Sequence, residues 1–190
     1  DTTLMSILLV YLHGKLGEGL SNQMRMTKVM GINYSVHWWK EHKMNKPPKI
    51  NPLEFLLKRI KWRYKKGTPK VAKSNVIYGD STIELERVVR GTKKTGKRFS
   101  LLFTSPPYCS VTDYHVDQWL RLWLLGGPEN PKSIQEKYKG RFISKEDYYN
   151  LIDSVFGNSA AIMGEESTIY VRTDAREFTF NSIFEILKKH

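Results

Sequence analysis

A single cysteine, Cys109, in a chain of 190 residues leaves nothing for an internal disulfide to form with. Neither a C-x-x-C pair nor a His/Cys cluster supplies metal-ligand spacing, so a disulfide-stapled secreted scaffold and a structural zinc site are both excluded. Long hydrophobic runs are missing as well. The longest, Ile7 to Leu12, falls far short of the roughly 18 residues that a membrane span requires. No charged flank with a cleavage site marks a signal peptide, and no segment repeats or is of low complexity. A soluble protein in a reducing, intracellular setting is expected. With 40% hydrophobic residues, the length suits one compact domain.

Acidic residues are scarce where basic ones crowd. The whole chain carries 31 Lys or Arg against 19 Asp or Glu, a net charge of +12. Residues 40 to 73 hold 12 basic residues with only Glu41 and Glu54 against them, a net of +10, and the remainder nets +2. Such a cluster implies a polyanionic partner.

Along the chain, Leu4 to Leu12 is apolar without a deciding period, and His13 to Gly19 is a glycine-rich turn. Trp38 and Trp39 precede an Asn45-Lys46-Pro47-Pro48 break. Pro52 to Arg63 then sets Leu53, Leu56, Leu57 and Ile60 at helical spacing behind Asn51, an expected N-cap with proline at the first helical position. Lys65 to Lys73 reads as a solvated connection. Asn75 to Tyr78 is expected as a short buried strand, Thr82 to Arg90 as a helix, Gly91 to Arg98 as a charged turn and Phe99 to Phe103 as an apolar strand. Helices are expected over Asp117 to Leu125, Lys145 to Phe156 and Phe180 to Lys188, with a strand over Thr168 to Val171. Strands alternating with helices give an α/β fold with a mainly parallel sheet. A basic helical segment at 1–73 precedes the α/β core at 74–190.

In open α/β sheets, working groups sit beyond the carboxyl ends of strands. Two such ends are Gly79-Asp80-Ser81 and Thr104-Ser105-Pro106-Pro107-Tyr108. Consecutive prolines fix φ twice and push Ser105 out of the α region, holding its hydroxyl and the carbonyls of Ser105 and Pro106 in a rigid arc. The arc offers acceptors and no amide donors, which suits a planar amine, with Tyr108 placed to stack on the ring that bears it. Asp80 is read either as a helix N-cap or as a cofactor or active-site contact. Asp117 and Trp119 either start and pack a helix or line a pocket. Arg172 and Asp174 read as structural or surface residues, the five histidines have no evident partner, and Cys109 is incidental.

Ser105-Pro106-Pro107-Tyr108 resembles the catalytic motif of the S-adenosylmethionine-dependent DNA amino-methyltransferases, (Asp/Asn/Ser)-Pro-Pro-(Tyr/Phe/Trp) after a sheet strand. The serine form looks more like the cytosine-N4 enzymes than the adenine-N6 ones. Further similarity to a bacterial and archaeal subgroup covers Leu12 to Gly14, Leu20 to Met24, Gly79 to Ser81 and Asp117 to Pro128. The resemblance implies an incomplete Rossmann-like sandwich in a prokaryotic cytoplasm or a viral host cell. It implies catalysis by Ser105, Pro106, Pro107 and Tyr108, which localise the amine lone pair of a flipped base without a covalent intermediate. S-adenosyl-L-methionine would be held with help from Asp80, Ser81 and Thr104, and no metal is required. Double-stranded DNA would meet Tyr114, Asp117 and Trp119 near the base and Lys58, Arg59, Lys61 and Arg63 along its phosphates, with Trp38, Trp39, Trp62 and Tyr64 contacting bases or the core. The family's Phe-x-Gly-x-Gly cofactor motif is missing; Leu8 to Gly19 is a weak substitute. The chain therefore reads as a central, catalytic portion, with the glycine motif upstream or on a second polypeptide. Competing readings are an inactive methyltransferase-like DNA-binding subunit and an RNA or protein amino-methyltransferase, against which Ser105 argues.

Overall fold

The computed structural model describes residues 2–12, 20, 31–47, 49–68, 70, 73–110, 114–130 and 144–190. In chain order the elements are α1 (Thr2–Leu12), α2 (Ile32–Glu41), α3 (Pro52–Arg63), α4 (Ser81–Thr95), β1 (Phe99–Thr104), α5 (Tyr114–Asp117), α6 (Trp119–Leu124), α7 (Lys145–Ala160), β2 (Met163–Val171) and α8 (Glu177–Lys189). They fall into two compact units, Asp1–Ala72 with Asp113–Ile134 and Lys73–Thr112 with Gln135–His190. The segment Asp113–Ile134, which the sequence groups with the α/β portion, thus belongs to the first unit.

The first unit is helical among its described residues. The undecided apolar run is the helix α1, which buries only Ile7. Proline at the first position and Asn51 start α3 as expected, the Asn51 side chain accepting from the backbone N–H of Leu53 at 3.0 Å. Tyr11 meets Phe55 edge-on at 5.7 Å, and the Arg59 guanidinium lies 4.5 Å over Tyr11 and 5.0 Å over Phe55, tying α1 to α3. Arg121 of α6 donates its Nε–H to the Leu9 carbonyl at 2.7 Å. The Leu-Gly-Gly sequence after α6 is a helix stop: Gly126 has φ 90°, and a Cβ on Gly127 would sit 2.8 Å from the Leu122 carbonyl oxygen.

The second unit is α/β, with β1 and β2 paired in parallel. Leu101 is in register with Thr168, Phe103 with Tyr170 and Thr104 with Val171. Residues two apart share a face. Leu102 and Val171 turn toward a core of Cys109, Tyr148, Ile152, Phe156, Ile183 and Ile186. On α7, Tyr148, Ile152 and Phe156 recur every four residues, the stripe of an amphipathic helix, and Ile183 and Ile186 do the same from α8. Burying each such side chain contributes about 1.5–3 kcal/mol. The other sheet face stays open: Leu101, Phe103 and Tyr170 are 56%, 72% and 50% exposed, with the Phe103 and Tyr170 rings stacked at 4.8 Å.

Two expectations change here. Residues 75–78 form no strand; Val76 is 95% and Tyr78 fully exposed, because no described strand lies beside them to take up their backbone groups. Gly91 does not end α4. The helix runs on to Thr95 and stops at Gly96, whose φ of 68° supplies the left-handed cap that a glycine inside the helix does not need. No helix among the described residues is long and apolar enough to cross a membrane.

Candidate functional site

The parallel pair brings two chain reversals to one edge. The last rung is a hydrogen bond from the Arg172 N–H to the Thr104 carbonyl at 2.9 Å, so Ser105 and Thr173 each begin one residue beyond it. Ser105 is exposed, Pro106, Pro107 and Tyr108 are half-buried, and Cys109 is 5% exposed in the core. The motif is anchored at both ends, by a sheet rung before it and a buried side chain after it. Ser110, at φ 57°, then turns the backbone through the left-handed region that a non-glycine residue adopts only when its surroundings hold it there. Two consecutive prolines leave this turn without N–H groups of its own between Ser105 and Tyr108. It is rich in acceptors and poor in donors, as the sequence anticipates.

Beside it lies a polar set that the sequence reading did not single out. Asp174 is not merely a surface residue: its side chain is 19% exposed, its Oδ2 accepts from Arg176 Nε at 2.6 Å, and its Oδ1 is buried without a hydrogen-bond partner. The Thr173 Oγ1 and the Tyr148 hydroxyl are likewise buried and unpartnered. Tyr148 is the largest wholly buried side chain of the unit, packed with Cys109 and 6.0 Å from the Phe178 ring. Burial raises its phenol well above the ordinary value, the negative ends of Cys109 and Asp174 add to this, and Arg176 opposes it. The hydroxyl therefore keeps its proton and is a donor. Leaving a buried hydroxyl unpaired costs about 1–3 kcal/mol, a cost that proteins tolerate mainly where something else uses the group. Two signals were available in the sequence: a polar Arg-Thr-Asp directly after an apolar strand, and one tyrosine in an otherwise aliphatic helix stripe.

Asp80 caps α4, its Oδ1 accepting from the Thr82 N–H at 3.0 Å and the Thr82 hydroxyl at 2.8 Å. Ser81 is the first residue of that helix, and the Thr104 carbonyl is spent on Arg172. These are the contacts of a helix start and a strand end, and they do not by themselves make a cradle for a large cofactor. The candidate glycine loop fares worse, since Leu8 to Leu12 is helix where a strand is needed; residues 13–19 lie outside the described residues.

The remaining candidates belong to the first unit. Lys58, Lys61 and Arg63 are exposed on α3, with Trp62 67% and Tyr64 37% exposed among them, whereas Arg59 is half-buried over its two rings. Trp38 stacks on His42 at 3.8 Å. Tyr114 opens α5, Asp117 ends it, and half-buried Trp119 opens α6. The histidines are not partnerless: His37 meets Glu41 at 3.2 Å, His42 meets the Trp38 carbonyl at 2.9 Å and His190 meets Asp153 at 2.9 Å. His13 lies outside the described residues, as does the His115 side chain. Among the described residues, no group of three His, Cys, Asp or Glu side chains is arranged to hold a metal. No family model, curated protein or solved structure matches the chain.

Proposed function

We propose that the chain is the catalytic portion of an S-adenosylmethionine-dependent DNA amino-methyltransferase that methylates the exocyclic amine of a flipped base, cytosine N4 in the first instance and adenine N6 as the alternative. The observation that carries this reading is the Ser105-Pro106-Pro107-Tyr108 turn at the carboxyl end of a parallel strand, the edge where α/β sheets hold ligands. S-adenosylmethionine supplies an electrophilic methyl group. The Ser105 hydroxyl and the Pro106 carbonyl accept the hydrogens of the amine and localise its lone pair, which ring conjugation otherwise withdraws. Tyr108 stacks on the base and fixes the approach of the nitrogen. As the N–C bond forms, the carbon–sulfur bond breaks and its electron pair stays on sulfur; the surplus proton leaves the nitrogen along the Ser105 hydrogen bond toward water.

The described residues do not complete a cofactor cradle, because Asp80 caps a helix and the Thr104 carbonyl closes a sheet rung. In this reading a second polypeptide, or sequence beyond this portion, carries the Phe-x-Gly-x-Gly motif and extends the parallel pair into a Rossmann-like sheet. Parallel sheets are normally covered on both faces, so the exposure of Leu101, Phe103 and Tyr170 supports a further layer. Exposed Lys58, Lys61, Arg63, Trp62 and Tyr64 support DNA contact through phosphates and stacking, in a prokaryotic cytoplasm or viral host cell.

The test is transfer of labelled methyl to DNA by the chain alone, by the chain with its neighbouring gene product, and by the Ser105→Ala form of the active preparation. A loss of about 10²–10³ in rate is expected for Ser105→Ala, the scale of one aimed hydrogen bond in a transition state. Parental activity in that variant removes the catalytic assignment. DNA binding without any transfer favours the inactive-subunit reading instead.

A further inference from the structure

The Ser105 turn accounts for the amine but not for the rest of the base. Next to it, Tyr148 Oη, Thr173 Oγ1 and Asp174 Oδ1 are buried and unpartnered, and they reach this edge by different routes. Thr173 and Asp174 follow the Arg172 rung that pairs with Thr104. Tyr148 comes from α7 and packs with Cys109, the residue directly after Tyr108, and with Val171, two residues before Thr173. Arg176 holds Asp174 through Oδ2, which leaves Oδ1 as a fixed acceptor.

We infer that Tyr148, Thr173 and Asp174 form a recognition subsite for an amidine-type edge, an amino group on a carbon next to a ring nitrogen acceptor. Asp174 Oδ1 accepts an amino hydrogen, and the Tyr148 hydroxyl donates to the ring nitrogen, with Thr173 free to serve either atom. Burial keeps the phenol protonated, which suits it to donating. Cytosine presents this edge as N4 and N3, adenine as N6 and N1. Uracil and hypoxanthine present a carbonyl beside an N–H, which sets oxygen against the carboxylate and a donor against the phenol. A buried polar group left unpaired discriminates strongly against an analogue lacking its partner. The inference rests on the amine-transfer reading above and adds to it the residues that choose the base.

Binding of free nucleosides to the 190-residue chain, followed by saturation-transfer NMR, separates the two. Deoxycytidine, deoxyadenosine, deoxyuridine and deoxyinosine are the probes, with the first two distinguishing the two sources of the same edge. At least one amino nucleoside is expected to bind, about tenfold or more tighter than its carbonyl counterpart. Tyr148→Phe is expected to weaken it by about five- to tenfold, the scale of one hydrogen bond, while leaving Tm unchanged or raised because an unpaired hydroxyl is removed. Asp174→Ala is expected to abolish the preference for the amino form. The subsite is overturned if no nucleoside binds, if deoxycytidine and deoxyuridine bind alike and deoxyadenosine and deoxyinosine bind alike, or if Tyr148→Phe binds as the parent does. Selective binding with no methyl transfer under any condition overturns the proposed function and leaves the subsite standing. Methyl transfer by Tyr148→Phe at parental kcat and KM does the reverse.

Discussion

Residues 40–73 carry a net charge of +10, and none of those described is buried; residues 144–190 carry a net of −3 and bury Tyr148, Ile152, Phe156, Ile162, Ile183 and Ile186. The contrast is a division of labour set by desolvation. Ammonium and guanidinium groups lose several kcal/mol when taken out of water unpaired, so a segment this basic stays on the surface and draws its folding energy from few contacts. A segment with few charges and a four-residue apolar repeat closes a core and positions groups with it. In this protein the first kind of segment suits a long polyanion, and the second holds the Ser105 turn and the polar set beside it.

The contrast breaks most readily in the core. Ile186 is wholly buried between α7 and α8, and Ile186→Ala is expected to cost about 2–5 kcal/mol, transfer and cavity together. Leu57, on α3 and 47% exposed, is expected to cost under about 1 kcal/mol as Leu57→Ala. Urea unfolding measures both. Similar losses at the two positions mean that the basic unit has a core of its own to lose.

Charge is the next lever. Replacing Lys58, Lys61, Arg63, Lys65 and Lys66 with alanine is expected to weaken binding to a random duplex and to flatten the slope of log affinity against log salt by up to about 0.9 for each phosphate contact removed. Arg59→Lys is expected to act differently, loosening α1 against α3 through lost stacking on Tyr11 and Phe55 with little change in that slope. An unchanged slope in the fivefold variant makes the cluster a solvated face, and a large slope change for Arg59→Lys makes that guanidinium a phosphate contact.

How much could be read beforehand follows from how local each signal is. Asn51-Pro52 and Asp80 announce helix starts with their own side chains, and both cap as expected. The Ser105-Pro106-Pro107-Tyr108 turn is written in four adjacent residues, and its place after a parallel strand follows from the α/β alternation. Residues 75–78 mislead because their β-branched and aromatic composition speaks of a strand while pairing depends on a neighbour. The helix α1 is illegible because its apolar residues surround it without a period. Tyr148, Thr173 and Asp174 are the instructive omission: they come from two places in the sequence, and what marks them is burial without partners, a property that only the fold confers.

The smallest effect distinguishes the two segments by the sign of their electrostatics. Asp153 on α7 accepts from Lys189 Nζ at 2.8 Å and meets His190 at 2.9 Å, fastening the end of α8. The Lys189 hydrogen bond holds the Asp153 carboxyl below its ordinary value of 3.8, partial desolvation works against this, and His190 adds to the lowering. Since the folded state binds the proton less readily than the unfolded chain, the contribution is present above the ordinary carboxylate value and is lost as pH falls through the lower, folded one. Asp153→Asn is therefore expected to lower Tm slightly near neutral pH and to converge with the parent in strong acid, in paired thermal scans. Added salt is expected to shrink this neutral-pH difference, because it screens an exposed attraction. The same salt relieves the mutual repulsion of residues 40–73. If salt widens the difference between Asp153→Asn and the parent instead, the tether is not electrostatic, and the two segments differ in burial alone.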